Sequence, residues 1–327
     1  MTPICFDEYL KFLADDGNYV VITDENVAAL YPLGPAKKIV IKPGEEHKNM
    51  QTVLEIYNQL RDMNITRNSK IFAVGGGVVC DIAGFVAATY LRGLNITMMP
   101  TTLLSQVDAS IGGKNGVDFG GLKNIIGTFR QPKEIIIDPK FLRTLSPEQM
   151  TDGLAEIVKI ASVTDESLFE ILEDEDLSSL NGEYLWGVTQ IIALAADAKT
   201  NIVRKDVLEN GIRRILNFGH TIGHAIELSC GVSHGVAVAN GMLISTKINE
   251  RFFEGSRKVG ERIEQLLRKI NCPLDLKIST EEFAEKIKGD KKRESSFIRF
   301  VVVPKIGCAE IKKINVDRLI EMIDAVC

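Results

Sequence analysis

The sequence predicts two domains, a parallel-sheet α/β domain over residues 1–145 and a helical domain over residues 146–327. Three observations carry this reading. Short β-branched runs alternate with helical patterns through the first half, which is the βαβ rhythm of a parallel sheet. After the run at 134–138 the strands stop, and Ser146-Pro147-Glu148 sets a capping Ser and a first-turn Pro at the head of a nearly all-helical stretch. The length of 327 residues also exceeds a usual single domain.

In chain order, 19–23 and 38–42 read as strands, 48–63 as an amphipathic helix and 70–74 as a strand. A helix over 81–91 and strands over 95–99 and 134–138 complete the first domain, with a long loop over 100–127 that shows no strong period. Helices are expected around 147–161, 165–175, 183–201, 212–229, 235–253 and 256–270. Residues 297–303 and 309–314 read as a hairpin across Pro304-Lys305-Ile306-Gly307 before a terminal helix.

Hydrophobic residues at 45% and charged residues at 25% are ordinary for a globular protein, and a net charge of −5 argues against a nucleic-acid-binding surface. Cys5, Cys80, Cys230, Cys272, Cys308 and Cys327 lack metal-ligand spacing and read as reduced thiols. No run approaches eighteen apolar residues and the first residues lack a signal pattern, so a cytoplasmic protein without membrane partners is expected.

Chemistry concentrates in four stretches. Three of the four histidines fall within 220–234. His220 and His224 are four apart and share one helix face, so on spacing alone both are candidate ligands. Thr221 stands where a zincin protease carries its general-base Glu, which argues against peptidase chemistry. Glu156 offers the carboxylate that two histidines lack for a three-ligand zinc site, and Lys159 lies one turn away on the same face. Gly75-Gly76-Gly77 follows a strand and precedes a helix, placing Asp81 in that helix's first turn and favouring phosphate at the helix N-terminus. The 100–127 loop offers Lys114, Lys123 and Asn124 as donors, and Lys199, Arg213, Lys291 and Lys292 add positive charge suited to phosphate plus carboxylate.

These residues resemble a known family. Gly75-Gly-Gly-Val-Val-Cys-Asp-Ile-Ala-Gly-Phe85, Arg92-Gly93, Pro100-Thr-Thr-Leu-Leu-Ser-Gln-Val-Asp108, Ile111-Gly-Gly-Lys114 and Gly121-Leu-Lys-Asn-Ile-Ile-Gly127 are similar to motifs of the 3-dehydroquinate synthases. So are Ala155-Glu156-Ile-Val-Lys159, Leu216-Asn-Phe-Gly-His-Thr-Ile-Gly-His-Ala-Ile-Glu227 and His234-Gly235. The resemblance spans nearly the whole chain. It implies a Rossmann-like NAD-binding domain over 1–145, an all-α metal- and substrate-binding domain over 146–327, and a homodimer using NAD and zinc, with cobalt as a substitute. The implied reaction turns 3-deoxy-D-arabino-heptulosonate 7-phosphate into 3-dehydroquinate and phosphate, in the shikimate route to aromatic amino acids. It proceeds by transient oxidation with NAD, phosphate elimination, reduction and intramolecular aldol closure.

Carried over by motif, the metal ligands are Glu156, His220 and His234, while His224 becomes a substrate-site residue. Substrate contacts are Arg92, Asp108, Lys114, Asn124, Lys159, Lys199, Arg213, Asn217 and His224, with Lys291 or Lys292 as one further phosphate ligand. The cofactor contacts are Asp24 and Asn26, Glu45 and Lys48 of the 43–48 turn, Gly76, Gly77, Val78 and Asp81. Thr101, Thr102, Leu104, Lys114, Lys123, Phe141, Thr144 and Leu145 complete that set. Three positions depart from the common pattern: Val236 where Glu is usual, Cys80 where Gly is usual, and Thr200 where Ala is usual. The missing Glu at Val236 bears on rate and metal affinity more than on reaction class. The rival readings are another sugar-phosphate cyclase, such as a 2-deoxy-scyllo-inosose or epi-valiolone synthase, and a metal-dependent polyol dehydrogenase.

Overall fold

A computed structural model describes residues 2–13, 17–35, 37–177, 186–276, 282–284 and 296–326. Lys291 and Lys292, and the first residues of the helix expected over 183–201, lie outside the described residues. The chain folds into two compact units, Met1–Leu145 and Ser146–Cys327.

In the first unit, strands β1 (Ile4–Phe6), β2 (Tyr19–Asp24), β3 (Lys37–Ile41), β4 (Lys70–Gly75), β5 (Asn95–Pro100) and β8 (Glu134–Ile137) form a parallel sheet in the order β1-β8-β5-β4-β2-β3. Val20, Val21 and Ile22 of β2 and Ile71, Ala73 and Val74 of β4 have no exposed surface, as expected of strands covered on both faces. The chain steps from β2 outward to β3 and then returns to β4 on the other side of β2. The order therefore reverses between β2 and β4, and ligands of open α/β sheets bind outside the carboxyl ends of such a pair. Asp24 ends β2, and Gly75 ends β4.

Helices α1 (Glu25–Leu30), α2 (Met50–Asp62) and α3 (Gly77–Thr89) connect the strands. Asn49 caps α2 through Thr52 N–H at 3.1 Å, and Val53, Ile56 and Leu60 make its buried stripe. The structure corrects the expected start of α3: the helix begins at Gly77, so Asp81 is its fifth residue and stands in the second turn.

The 100–127 segment is also more regular than the sequence suggests. It holds one π-helical turn, Ser105–Ala109, and an antiparallel hairpin of β6 (Lys114–Phe119) and β7 (Leu122–Phe129). Phe119 pairs with Leu122 across Gly120-Gly121, whose φ of 62° and 80° suit a tight two-residue turn. β7 is largely exposed, so no alternation of apolar and polar residues betrays it.

The second unit is built on α4 (Pro147–Thr164). Ser146 and Gln149 form a reciprocal capping box at its start, and every residue from Gly153 to Val163 is buried. A helix buried all round is a core helix, so Glu156 and Lys159 are polar groups inside it. Around it stand α5 (Glu166–Asp174), α6 (Trp186–Lys205), α7 (His220–Cys230), α8 (His234–Phe252) and α9 (Arg257–Lys269). The hairpin β9 (Phe297–Lys305) and β10 (Cys308–Asn315) leads into α10 (Val316–Asp324). Phe300, Val302 and Ile314 of the hairpin share one apolar core with Ile222 and Ile226 of α7 and with Ile244 and Ile248 of α8, which places the hairpin in this unit.

The single helix expected over 212–229 is two elements. A 3-10 turn, Ile212–Asn217, ends before Gly219, whose φ of 77° breaks the run, and α7 starts at His220. A Cβ at Gly219 would lie 2.7 Å from Val238 O, and one at Gly241 only 2.1 Å from Gly219 O. Glycine at both positions lets α7 and α8 meet backbone to backbone, with the start of α7 against Val238 to Met242 of α8.

Candidate active site

Glu156 has no exposed surface, and Lys159, one turn later on α4, is 1% exposed. The Lys159 ammonium pairs with Glu156 Oε2. From Glu156 Oε1, His220 Nε2 is 3.8 Å away and His234 Nε2 is 3.5 Å away. Each histidine is the first residue of its helix, α7 or α8, so the close packing of those helices delivers both imidazoles to one carboxylate.

Local bonds orient the rings. His220 Nδ1 lies 3.2 Å from the Phe218 carbonyl, which can only accept, so Nδ1 carries the proton and Nε2 is bare toward Glu156. His234 Nδ1 lies 3.4 Å from Glu227 Oε2, which aims its Nε2 the same way. Burial pushes His220 down, reinforced by the Lys159 charge, to about 3. Burial also opposes the charge on His234, but the adjoining Glu156 and Glu227 carboxylates outweigh it and raise the ring to about 10. Burial works against ionised Glu156 too, yet Lys159 and the two imidazoles hold it well below the ordinary carboxylate range.

This donor set fits a divalent metal. Lys159 meets Oε2, but among the described residues buried Oε1 faces the two imidazoles at 3.5 and 3.8 Å without a close hydrogen bond, an arrangement costly for a carboxylate unless a cation completes it. One oxygen and two imidazole nitrogens are zinc ligands, and ligands about 2.0–2.1 Å from a tetrahedral ion lie about 3.3–3.4 Å apart, close to the separations here. The donor atoms of Glu156, His220 and His234 lie within 4.8 Å of one another, and so do those of His224, Glu227 and His234. His224 therefore borders the first group through ring contacts, 5.4 Å from His220 and 6.0 Å from His234 between centroids.

Of the remaining residues expected in this unit, Lys199 on α6 and Arg213 in the 212–217 turn are buried, and both elements pack on α4. Arg213 donates to the Val207 carbonyl at 2.6 Å, and its N–H is held by Asp206 at 3.1 Å. Asn217 donates to Glu209 Oε1 at 2.7 Å. Glu209 and Glu227 were given no role on sequence. The signal for Glu227 was its place three after His224, on the histidine face; Glu209 had none, because its loop follows no period. At the departures, Val236 and Cys80 are buried, and the Thr200 hydroxyl is buried without a hydrogen-bond partner among the described residues.

In the first unit, Gly76 is the cap residue of α3 and offers no side chain, so the first N–H groups of α3 are open to an anion. A Cβ at Gly76 would come 3.1 Å from Thr102, so glycine keeps that approach narrow but clear. Thr101 N–H donates to the Gly75 carbonyl at 2.9 Å, and Thr102 and Ser105 bond to each other just before the π-helical turn that Leu104 leads into and that holds Asp108. Asp24 caps α1 through Val27 N–H, with exposed Asn26 beside it. Buried Lys48 reaches Asp81 at 2.7 Å and Glu45 at 3.4 Å, and Lys123 lies 3.9 Å from Glu45. Tyr31 binds Thr144 and the Phe141 carbonyl, anchoring the turn that ends at Leu145.

Val78 stands in the first turn of α3, and Asn124, at φ 53°, donates its N–H to Asp118. Lys114 opens β6. Arg92 is not gathered with the glycine turn. It follows α3 at the far end of that helix, about 20 Å away for thirteen residues.

Residues 38–152 match the sequence profile described as 3-dehydroquinate synthase N-terminal, and residues 153–293 match that described as 3-dehydroquinate synthase C-terminal. The chain belongs to the 3-dehydroquinate synthase family. A 3-dehydroquinate synthase of Prochlorococcus marinus (strain AS9601) is 42% identical over 324 residues, covering 93% of this chain and 88% of that protein. Among solved structures, the 2-epi-5-epi-valiolone synthase of Streptomyces hygroscopicus subsp. jinggangensis 5008, with NAD+ and Zn2+ bound, is 26% identical at a TM-score of 0.89, over 99% of this chain and 96% of that one. A 2-deoxy-scyllo-inosose synthase complexed with carbaglucose-6-phosphate, NAD+ and Co2+ is 25% identical at a TM-score of 0.85, with the same coverage. Those rival cyclases share the fold at lower identity than the 3-dehydroquinate synthase does. The family expected from the motifs is thus the family found, and the activity is that of a lyase forming 3-dehydroquinate.

Proposed function

We propose that this chain converts 3-deoxy-D-arabino-heptulosonate 7-phosphate to 3-dehydroquinate and phosphate, with Glu156, His220 and His234 holding a divalent ion, zinc or cobalt, and the first unit holding NAD. The observation that carries the reading is the buried carboxylate of Glu156, held at Oε2 by Lys159 and faced at Oε1 by two imidazole nitrogens at 3.5 and 3.8 Å. The metal would supply a Lewis acid for a substrate hydroxyl, and NAD a carrier that takes up a hydride and gives it back.

The chain's own residues do the rest. Lys159 keeps Glu156 ionised, ready to act as a ligand. Lys199, Arg213 and Asn217 supply donors that match a carboxylate and a phosphate, and they stabilise charge as phosphate leaves. His224, beside both ligand histidines, is placed to carry a proton at the substrate's reacting end. In the first unit the open N-terminus of α3 receives a pyrophosphate, Asp24 stands at the strand switch for the nucleoside, and Lys48 neutralises Asp81 beside that turn.

The reading extends to a cytoplasmic homodimer acting on small molecules. Phe119, Leu122, Ile125 and Phe129 are exposed on the β6–β7 hairpin and favour a protein partner there. Among the described residues no helix is long and apolar enough to cross a membrane. The test is phosphate release from 3-deoxy-D-arabino-heptulosonate 7-phosphate with catalytic NAD and zinc, beside a chelated control. Chelator-sensitive release with dehydroquinate formed and no net NADH supports the proposal, and bound cofactors without turnover would reject it.

A further inference from the structure

The cap residue of helix α8 is Ser233, a residue type that normally caps its own helix through its hydroxyl. Here the backbone of Ser233 has cap geometry, with φ −64° and ψ 158°, yet its side chain makes no capping bond. The hydroxyl instead donates to Asp152 Oδ1 at 2.5 Å. The same carboxylate oxygen accepts the Gly235 N–H at 3.0 Å, and the Val236 N–H also favours the charged form of Asp152. Those are the second and third N–H groups of α8, the ones a cap satisfies. A residue of another helix, α4, has taken over the cap.

Asp152 lies four residues before Glu156, so the two carboxylates project from one face of α4 a turn apart. The helix that Asp152 caps starts with His234. The contact is tight enough to demand glycine: a Cβ at Gly235 would lie 2.4 Å from Asp152 Cα and 2.6 Å from its carbonyl oxygen. The negative charge also sits at the positive end of the α8 dipole.

We propose that Asp152 is a positioning residue for the metal centre: by capping α8 from α4, it fixes the His234 imidazole relative to Glu156. This rests on Glu156, His220 and His234 being the metal ligands. Asp152 stands outside the ligand set and acts through the backbone of α8.

The test compares the wild-type full chain with Asp152→Ala, Asp152→Asn and Glu156→Gln. The readouts are zinc affinity by competition with a chromophoric chelator, the cobalt absorption spectrum, and thermal melting of the metal-free protein. Asp152→Ala is expected to weaken zinc about 10–100-fold, the range for residues that orient a metal ligand, and to shift the cobalt bands. Asp152→Asn keeps an acceptor oxygen but loses the charge, and is expected to fall between Ala and wild type.

Wild-type affinity and cobalt spectrum in Asp152→Ala would overturn the inference, even if its melting temperature fell, because the cap would then be structural alone. Should Asp152→Ala fail to fold, Asp152→Asn decides, and unweakened zinc binding in it is equally fatal. Unchanged affinity in Glu156→Gln would instead remove the ligand assignment beneath the inference, so the two failures are distinguishable.

Discussion

Replacing Glu156 by Gln separates the two roles of this carboxylate, metal ligand and counter-charge to Lys159. Both residues are buried, at 0% and 1% exposure. Removing one partner of a buried ion pair leaves an uncompensated charge and costs about 3–5 kcal/mol. For a unit of this size each kcal/mol moves the melting temperature about 2–4 °C, so metal-free Glu156→Gln is expected to melt about 6–20 °C lower. The lower end applies if Lys159 sheds its proton and becomes neutral, which burial favours.

The partner variant Glu156→Gln/Lys159→Met removes both charges, and replacing a whole buried pair is often neutral. It should recover most of the lost stability while remaining unable to bind zinc. Calorimetry of the four metal-free proteins completes the cycle. If Glu156→Gln melts like the wild type, or the double variant melts below the single one, the pair is not what holds α4 in its buried place and the reasoning fails.

Other outcomes follow from the same geometry. His234 is raised to about 10 from an ordinary 6.5 and His220 is lowered to about 3, so at pH 7.5 zinc must displace one proton, from His234 alone. Calorimetric titration in buffers of different ionisation heat should count about one proton released; none, or two, contradicts the assigned charges. Because the folded pKa of His234 lies above its ordinary value, its contribution to metal-free stability is complete below pH 6.5 and disappears as pH rises through about 10, while zinc affinity climbs over that window. Gly219→Ala meets a left-handed backbone, costing about 1–2 kcal/mol, as well as Val238 O at 2.7 Å, so lower stability and weaker zinc binding should appear together. Lys48→Met leaves half-buried Asp81 without its ammonium and should weaken NAD binding at least several-fold by fluorescence titration; unchanged binding removes this pair from the nucleotide site.

Strands β2, β4 and β5 were legible because apolar runs bounded by Gly and Pro report a sheet buried on both faces. Their order was not, since pairing is a property of the folded sheet, and the switch between β2 and β4 emerged only there. The break at Gly219 was hidden because Arg213 to Glu227 keeps a plausible helical pattern, while the positive φ depends on the approach of α8. The histidine cluster and Glu156 stood out through rare residue types and spacing. Spacing alone paired His220 with His224, whereas the fold pairs it with His234, ten residues beyond His224 and on another helix. Asp152 left no signature, because capping another helix requires knowing which helix start lies beside it.

The central claim is the ligand set, and a zinc-edge anomalous difference map of zinc-loaded crystals tests it most directly. The account expects one strong peak about 2.0–2.2 Å from Glu156, His220 Nε2 and His234 Nε2. A peak seated between His224 and Glu227, or none within reach of Glu156, would contradict it.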